Sequence, residues 1–162
     1  MINSWFTVKV KYTKQFQNGT LKRVSEPYLL GALSFTDAEA RIYEELGTRI
    51  RGEFHIIGIS RTEIQDIFAY DDTGIWYKCK ISYLVENDEN EKQKKISQQF
   101  LVEADSIKDA YERLKESLSS MGVDFEIPSI LLSPIIDIFP NDETRSKIIE
   151  EESNEIEAWI NP

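Results

Sequence analysis

The chain has 162 residues, of which 41% are hydrophobic, and it carries a formal net charge of −10. Its one cysteine, Cys79, excludes an internal disulfide, and one cysteine with one histidine, His55, excludes a Cys/His zinc site. No apolar run approaches the ~18 residues that a membrane helix needs, so we expect a globular, cytoplasmic protein. We also expect it to hold no cofactor, because no cofactor-binding motif is present.

The N-terminal residues predict a β-hairpin. The first strand alternates between an apolar face, made of Phe6, Val8, Val10 and Tyr12, and an outward face, made of Trp5, Thr7, Lys9 and Lys11. Asn18-Gly19 is a turn signal that joins this strand to the next one.

A helix and further strands are predicted after the hairpin. Ser34 begins a Ser-x-x-Asp sequence, which is typical of a helix start, and the apolar residues Ala38, Ile42 and Leu46 share one helix face. A third strand is predicted from Phe54 on, and the Ile-x-Asp-Ile-Phe sequence that follows predicts a fourth short strand or a turn.

The same pattern occurs a second time in the chain. Trp5 to Tyr12 matches Trp76 to Tyr83, and Ser34 to Ala38 matches Ser106 to Ala110. The polar run from Glu86 to Lys95 predicts a longer hairpin loop in the second copy.

These patterns together predict an α+β fold. We expect a tandem duplication of a strand-strand-helix-strand unit that forms a pseudo-twofold antiparallel sheet structure, with one helix in each repeat. Repeat 1 covers residues 1–70 and repeat 2 covers residues 71–140, the two being packed as one pseudo-symmetric unit. Residues 141–162 form an acidic tail, with seven acidic and two basic residues.

A family resemblance rests on three sequences of the first repeat. These are Trp-Phe-x-Val-Lys-Val-x-Tyr from Trp5, Glu-Pro-Tyr-Leu from Glu26, and Ala-Leu-Ser-Phe-Thr-Asp-Ala-Glu-Ala-Arg from Ala32. Over residues 4–140 the chain resembles a domain family of unknown function from Bacteroidetes bacteria and their phages. The resemblance implies no activity, but it is consistent with a phage origin.

Aromatic and basic residues recur on the predicted outward faces of both copies. Bases stack on aromatic rings while cations follow the phosphates, so this combination is typical of single-stranded nucleic acid binding. The predicted contacts are Trp5, Lys9, Lys11, Lys22, Arg23, Trp76, Lys78, Lys80, Lys94 and Lys95. The alternative is that the tryptophans are packed residues and the lysines are simply solvated.

The acidic tail contains a candidate partner-binding segment, made of Glu150, Glu151, Glu152, Trp159 and Ile160. It is similar to the acidic, apolar-tipped tails of phage and bacterial single-stranded-DNA-binding proteins. That similarity implies that the tail recruits a protein partner and competes with DNA for basic residues. A tail that is merely solvated is the alternative.

The remaining polar candidates favour structural roles. Asp66 and Asp137 recur in Ile-x-Asp-Ile-Phe, where a turn or cap role is expected rather than acid–base catalysis. His55 has no histidine counterpart in the second repeat, and Cys79 is expected to be a buried, inert thiol. No phosphate-binding loop and no Ser/His/Asp set is present, so we expect no enzyme and no metal site.

The sequence leaves three hypotheses for function. The first is a non-enzymatic nucleic-acid-binding protein, for single-stranded DNA in phage or bacterial replication. The second is a phage protein-interaction module, which the net charge of −10 favours. The third is a small-ligand sequestering protein with its pocket between the repeats.

Overall fold

The computed structural model describes residues 4–87 and 92–141. It is an α+β structure with two helices and two mixed sheets of four strands each. In chain order the elements are β1 (Ser4–Gln15), β2 (Leu21–Ala32), α1 (Phe35–Gly47), β3 (Phe54–Thr62), β4 (Asp66–Phe68), β5 (Trp76–Asn87), β6 (Lys92–Glu103), α2 (Ile107–Ser117), β7 (Glu126–Ser133) and β8 (Ile138–Phe139). Neither helix is long and apolar enough to cross a membrane.

The first of two compact units contains residues 4–62 and 137–141. Its sheet has the strand order β3-β1-β2-β8. Strands β1 and β2 pair along their whole length, from Ser4↔Ala32 to Gln15↔Leu21. The predicted turn is confirmed, because Gly19 has a φ of 80° and the Asn18 side chain accepts a hydrogen bond from the Thr20 N–H at 3.0 Å.

The core of the first unit lies between α1 and one face of this sheet. The apolar residues of β1 and the predicted helix stripe pack together there, and the members 0–1% exposed include Phe6, Val8, Val10, Ala38, Ile42 and Leu46. Removing one such large aliphatic side chain from water stabilises the fold by about 1.5–3 kcal/mol. The alternation of β1 and the spacing of α1 therefore predict this core correctly.

The second unit contains residues 63–136 and has the strand order β4-β6-β5-β7. Its core is built in the same way, from β5, β6 and α2. Cys79 is fully buried in it, as predicted, and burial raises the pKa of its thiol to about 11. The paired strands of this hairpin are longer than predicted, because Lys92–Lys95 belong to β6 and not to the loop. Residues 88–91 of the hairpin connection lie outside the described residues.

Both helix starts carry the predicted caps. The Ser34 hydroxyl accepts a hydrogen bond from the Asp37 N–H at 3.1 Å, and the Asp37 carboxylate accepts one from the Leu33 N–H at 2.9 Å. In α2 the Ser106 hydroxyl accepts from the Asp109 N–H at 3.0 Å. These bonds satisfy N–H groups that a helix start leaves without an intrahelical partner.

The fourth strand of each sheet corrects the predicted antiparallel arrangement. Strand β8 pairs in parallel with β2, and β4 pairs in parallel with β6. Each short strand is packed by an aromatic stack. The ring centroids of Phe139 and Tyr28 are 5.6 Å apart, and those of Phe68 and Phe100 are 5.5 Å apart. The alternation of a short strand predicts which side chains face inward, but it does not specify the neighbouring strand or its direction.

An arginine of each helix fixes the chain next to the short parallel strand. Arg41 donates hydrogen bonds to the Gly31 carbonyl and, at 3.2 Å, to the Pro140 carbonyl. Arg113 donates to the Glu103 carbonyl at 2.9 Å and to the Asp72 carboxylate at 2.6 Å. In both units, a helix arginine therefore donates to a carbonyl at the end of the preceding strand, whereas the second acceptor differs.

Candidate nucleic-acid interface

The first sheet has a face opposite α1 on which the residues paired between β1, β2 and β3 include cations and no acidic residue. Strand register places Lys9 opposite Pro27 and Gly58, Lys11 opposite Ser25 and His55, and Thr13 opposite Arg23. The other residues that β1, β2 and β3 pair on this face are Trp5, Thr7, Gln15, Leu21, Leu29, Gly31, Ser60 and Thr62. We name the four residues Lys9, Lys11, Arg23 and His55 the basic face.

The residues of the basic face are all exposed to solvent. Two residues along a strand lie about 7 Å apart on the same side, so Lys9 and Lys11 follow each other at that spacing. The Ser25 hydroxyl lies opposite Lys11, and the Thr13 hydroxyl follows Lys11 along β1 on the same face. Cations with neighbouring hydroxyls can hold a chain of phosphates, because an ammonium or guanidinium attracts the anion and a hydroxyl donates to its oxygens.

The other end of this sheet face is less open to solvent. Leu29 is fully buried, and Trp5 is half-buried. Of the predicted contacts in the first repeat, Trp5 is therefore only partly available, whereas Lys9, Lys11 and Arg23 are exposed to solvent. Arg23 also donates a hydrogen bond to the Thr13 hydroxyl at 3.5 Å.

The hairpin tip of the first unit carries further cations on the opposite side. Lys22 pairs with Lys14, and even-numbered positions of β1 face α1, so Lys22 does not share a face with Lys9 and Lys11. The ammonium groups of Lys14 and Lys22 lie 5.8 Å and 5.9 Å from the centroid of the Phe16 ring, which is 40% exposed.

The corresponding face of the second sheet is mixed in charge. Lys78, Lys80 and Lys95 lie on the face opposite α2, together with Glu126, while Lys94 lies on the other face. Trp76 is only 8% exposed, next to Glu103, which is also buried, so its ring is not the accessible stacking surface that the sequence predicted. The recurring tryptophans thus mark the less accessible end of each outer face.

Glu103 has a structural function in the second unit. Its carboxylate accepts hydrogen bonds from the N–H groups of Tyr70, Asp71 and Gly74 at 2.7, 2.6 and 2.8 Å. Burial by itself raises the pKa of Glu103, but these three donors outweigh it and hold the pKa below its ordinary value. The carboxylate therefore stays ionised and organises the loop before β5.

A buried carboxylate in the first unit is also satisfied within the fold. Glu26 accepts hydrogen bonds from the hydroxyls of Tyr12 at 2.8 Å and Tyr28 at 3.0 Å. Burial and the Glu26 carboxylate raise the pKa of Tyr12 to about 12 and raise that of Tyr28 above its ordinary value. Both phenols remain protonated donors at neutral pH. The Glu26 carboxylate lies on the α1 side of the sheet, away from the basic face.

The remaining sequence candidates lie in different places. Asp137 forms an ion pair with Arg49 at 2.7 Å and accepts the Ile138 N–H, and Asp66 accepts the Ile67 N–H at the start of β4. Across residues 4–87 and 92–141, no group of three or more His, Cys, Asp and Glu side chains is arranged to hold a metal. The tail residues Glu150, Glu151, Glu152, Trp159 and Ile160 lie outside the described residues.

The second unit also has an open groove of about 570 Å³. Tyr83, Leu84, Val123 and Phe125 supply its apolar lining, and Lys95 is among its polar residues. Most of its lining residues are exposed, so the groove is a shallow surface feature.

Sequence reasoning missed Lys14 and Phe16. Both follow the alternating segment and precede the Asn18-Gly19 turn, where the strand period no longer indicates which face a side chain takes. A signal was present in the charge pattern, because residues 9–25 contain five cations and no acidic residue.

Comparison with known proteins identifies the family without adding an activity. Among curated proteins and among solved structures, no match to the chain is found. The model of one family matches residues 4–141, which is most of the chain. The chain therefore belongs to that family, which is described as a domain of unknown function, DUF4494.

Proposed function

We propose that the protein is a non-enzymatic nucleic-acid-binding protein that holds single strands on the basic face. The observation that carries this proposal is the set of exposed cations Lys9, Lys11 and Arg23 on a sheet face whose paired residues in β1, β2 and β3 include no carboxylate. In a chain with a net charge of −10, such a local positive surface attracts phosphate to one place.

A single strand fits this surface better than a duplex. Lys9 and Lys11 lie in line along β1, at a spacing of about 7 Å that suits successive phosphates of an extended strand. The accessible part of the face is limited at its other end, where Leu29 is fully buried and Trp5 is half-buried.

The proposal includes a biological setting and a history for the chain. The matching order of elements in the two units supports a tandem duplication of a strand-strand-helix-strand unit. Binding of single-stranded DNA in phage or bacterial replication, in the cytoplasm, is the setting that the family resemblance and the acidic tail favour. The tail then supplies a docking segment for a protein partner.

The test is a fluorescence-anisotropy titration of labelled oligo(dT) and oligo(U) at several salt concentrations. We expect log K to fall with log salt by about 0.7 for each phosphate neutralised, and the slope of Lys9→Gln/Lys11→Gln/Arg23→Gln to be smaller by about 2. Lys108→Gln/Lys115→Gln removes two exposed cations of α2 and should leave the slope unchanged. A chain that ends at Asn141 should bind at least as tightly as the full chain.

Two results would contradict the proposal. One is the absence of binding by both the full chain and the shortened chain. The other is binding that the triple variant retains with its full salt dependence.

A protein-interaction module is the second candidate, and one observation favours it. Strand β7 lies at the edge of its sheet, and it exposes Leu131 and Leu132 by 62% and 64%. Exposed apolar side chains on an edge strand are typical of a surface that another chain covers.

The two candidates respond differently to substitution. If β7 is the functional surface, Leu131→Ser/Leu132→Ser abolishes partner capture, whereas replacing the basic face leaves it intact. If the basic face is the functional surface, the same leucine substitutions leave oligonucleotide affinity unchanged.

A further inference from the structure

The β1–β2 hairpin extends beyond the rest of its sheet. Pairing between β1 and β3 ends at Tyr12↔Phe54, whereas pairing between β1 and β2 continues through Thr13↔Arg23, Lys14↔Lys22 and Gln15↔Leu21. The tip is therefore a two-stranded ribbon that no third strand of residues 4–87 and 92–141 borders.

Like charges face each other across this ribbon. Lys14 and Lys22 are a direct cross-strand pair, and like charges in that position destabilise a hairpin. Lys14 has one carboxylate contact, to Glu26 at 3.5 Å, which is the outer limit of a hydrogen bond. An anionic ligand would remove the repulsion between the two ammonium groups.

Both ammonium groups also lie near one exposed aromatic ring. Their distances to the Phe16 centroid, 5.8 Å and 5.9 Å, are close to the limit of about 6 Å for a cation–π contact. Such contacts are weak at exposed sites, so the ammonium groups can turn toward phosphates without a large loss. An aromatic ring flanked by two cations provides for both parts of a nucleotide, the base and its phosphates.

We infer that the hairpin tip is a stacking site for an unpaired nucleobase, with Phe16 under the base and Lys14 and Lys22 on the flanking phosphates. This inference rests on the proposed function, and it selects single strands over duplexes because a paired base has no free face along the helix. It places the ring contact at the tip, a site that the outward faces of the strands do not include.

The experiment compares oligo(dT) of about 16 nucleotides, the upper end of the usual site size, with an abasic strand and a duplex of equal length. Phe16→Leu keeps an apolar side chain but removes the ring, and it should weaken oligo(dT) binding at least about fivefold. The same variant should bind the abasic strand as the wild type does. Phe16→Trp should restore oligo(dT) binding.

Leu21→Ala is the matched control. Leu21 is a 64% exposed apolar residue of the same tip and has no ring, so its loss should leave oligo(dT) affinity within about twofold, as for surface substitutions in general. Far-ultraviolet circular dichroism verifies that each variant is folded.

The outcomes separate this inference from the proposed function. If Phe16→Leu binds oligo(dT) like the wild type while Lys9→Gln/Lys11→Gln/Arg23→Gln loses affinity, the stacking site is excluded and the basic face stands. Equal wild-type affinity for duplex and single strand also overturns the stacking site. No binding of any probe by the wild type overturns both.

Discussion

The two hairpins of this chain share a backbone plan and differ in charge. Residues 9–25 of the first hairpin carry five cations and no acidic residue, whereas the matching residues 80–97 carry four of each. Both hairpins pair over twelve residues and bury the same alternating positions. Packing requirements therefore fix the residue types on the buried face of a strand, while the residues of the exposed face can vary.

Truncating a buried side chain should destabilise the two cores equally, and this is the largest expected effect on stability. Ile42→Ala in α1 and Leu114→Ala in α2 each remove a fully buried side chain, so each should lower the free energy of unfolding by about 2–5 kcal/mol. Urea unfolding followed by circular dichroism measures this. Ile57→Ala, at a half-exposed position, is the control and should change it by less than about 0.5 kcal/mol.

The two units also differ at one buried position, where the second has Glu103 and the first has Gly31. Glu103→Gln should lower the free energy of unfolding by about 1–3 kcal/mol at pH 7, since three N–H groups lose a carboxylate acceptor. The folded pKa of Glu103 lies below the unfolded value of about 4.3, so its stabilisation is present above that pH and is lost as pH falls through the folded pKa.

Urea unfolding of wild type and Glu103→Gln between pH 3 and pH 7 checks this prediction. The difference between the two proteins should shrink as pH falls below about 4. A difference that stays constant over this range would show that the charge of Glu103 does not contribute.

The helix caps should show the smallest effect and should again be equal in both units. Ser34→Ala and Ser106→Ala each remove an acceptor for a helix N–H, and each should cost about 1 kcal/mol of unfolding free energy. Ser119→Ala, at an exposed position after α2, serves as the control in the same urea titration. Unequal cap effects would mean that the two helix starts differ more than their geometry indicates.

Much of each unit could be predicted from the sequence, because the signals are local. The alternation from Phe6 to Tyr12, the Asn18-Gly19 turn and the Ser34 cap all predict the structure that forms. The parallel pairing of β4 with β6 and of β8 with β2 could not be predicted, because a strand of two or three residues contains too little pattern to specify a partner.

The candidate site was predictable only in part, for a related reason. The period of two residues places Lys9 and Lys11 on an accessible face, but it says nothing about what covers Trp76 farther along the same kind of face. Phe16 was missed because its exposure depends on how far the ribbon extends past β3, which is set by the pairing of distant residues.

The most direct test is one titration of oligo(dT) with two charge-reversed variants. One carries Lys9→Glu, Lys11→Glu and Arg23→Glu, and the other carries the second-unit replacements Lys78→Glu, Lys80→Glu and Lys95→Glu. Both change the net charge equally, so a difference between them reports location alone. We expect the first variant to lose affinity by about 100-fold or more and the second variant to lose it by less than about 10-fold. Equal losses, or a larger loss for the second variant, would contradict the assignment of binding to the basic face.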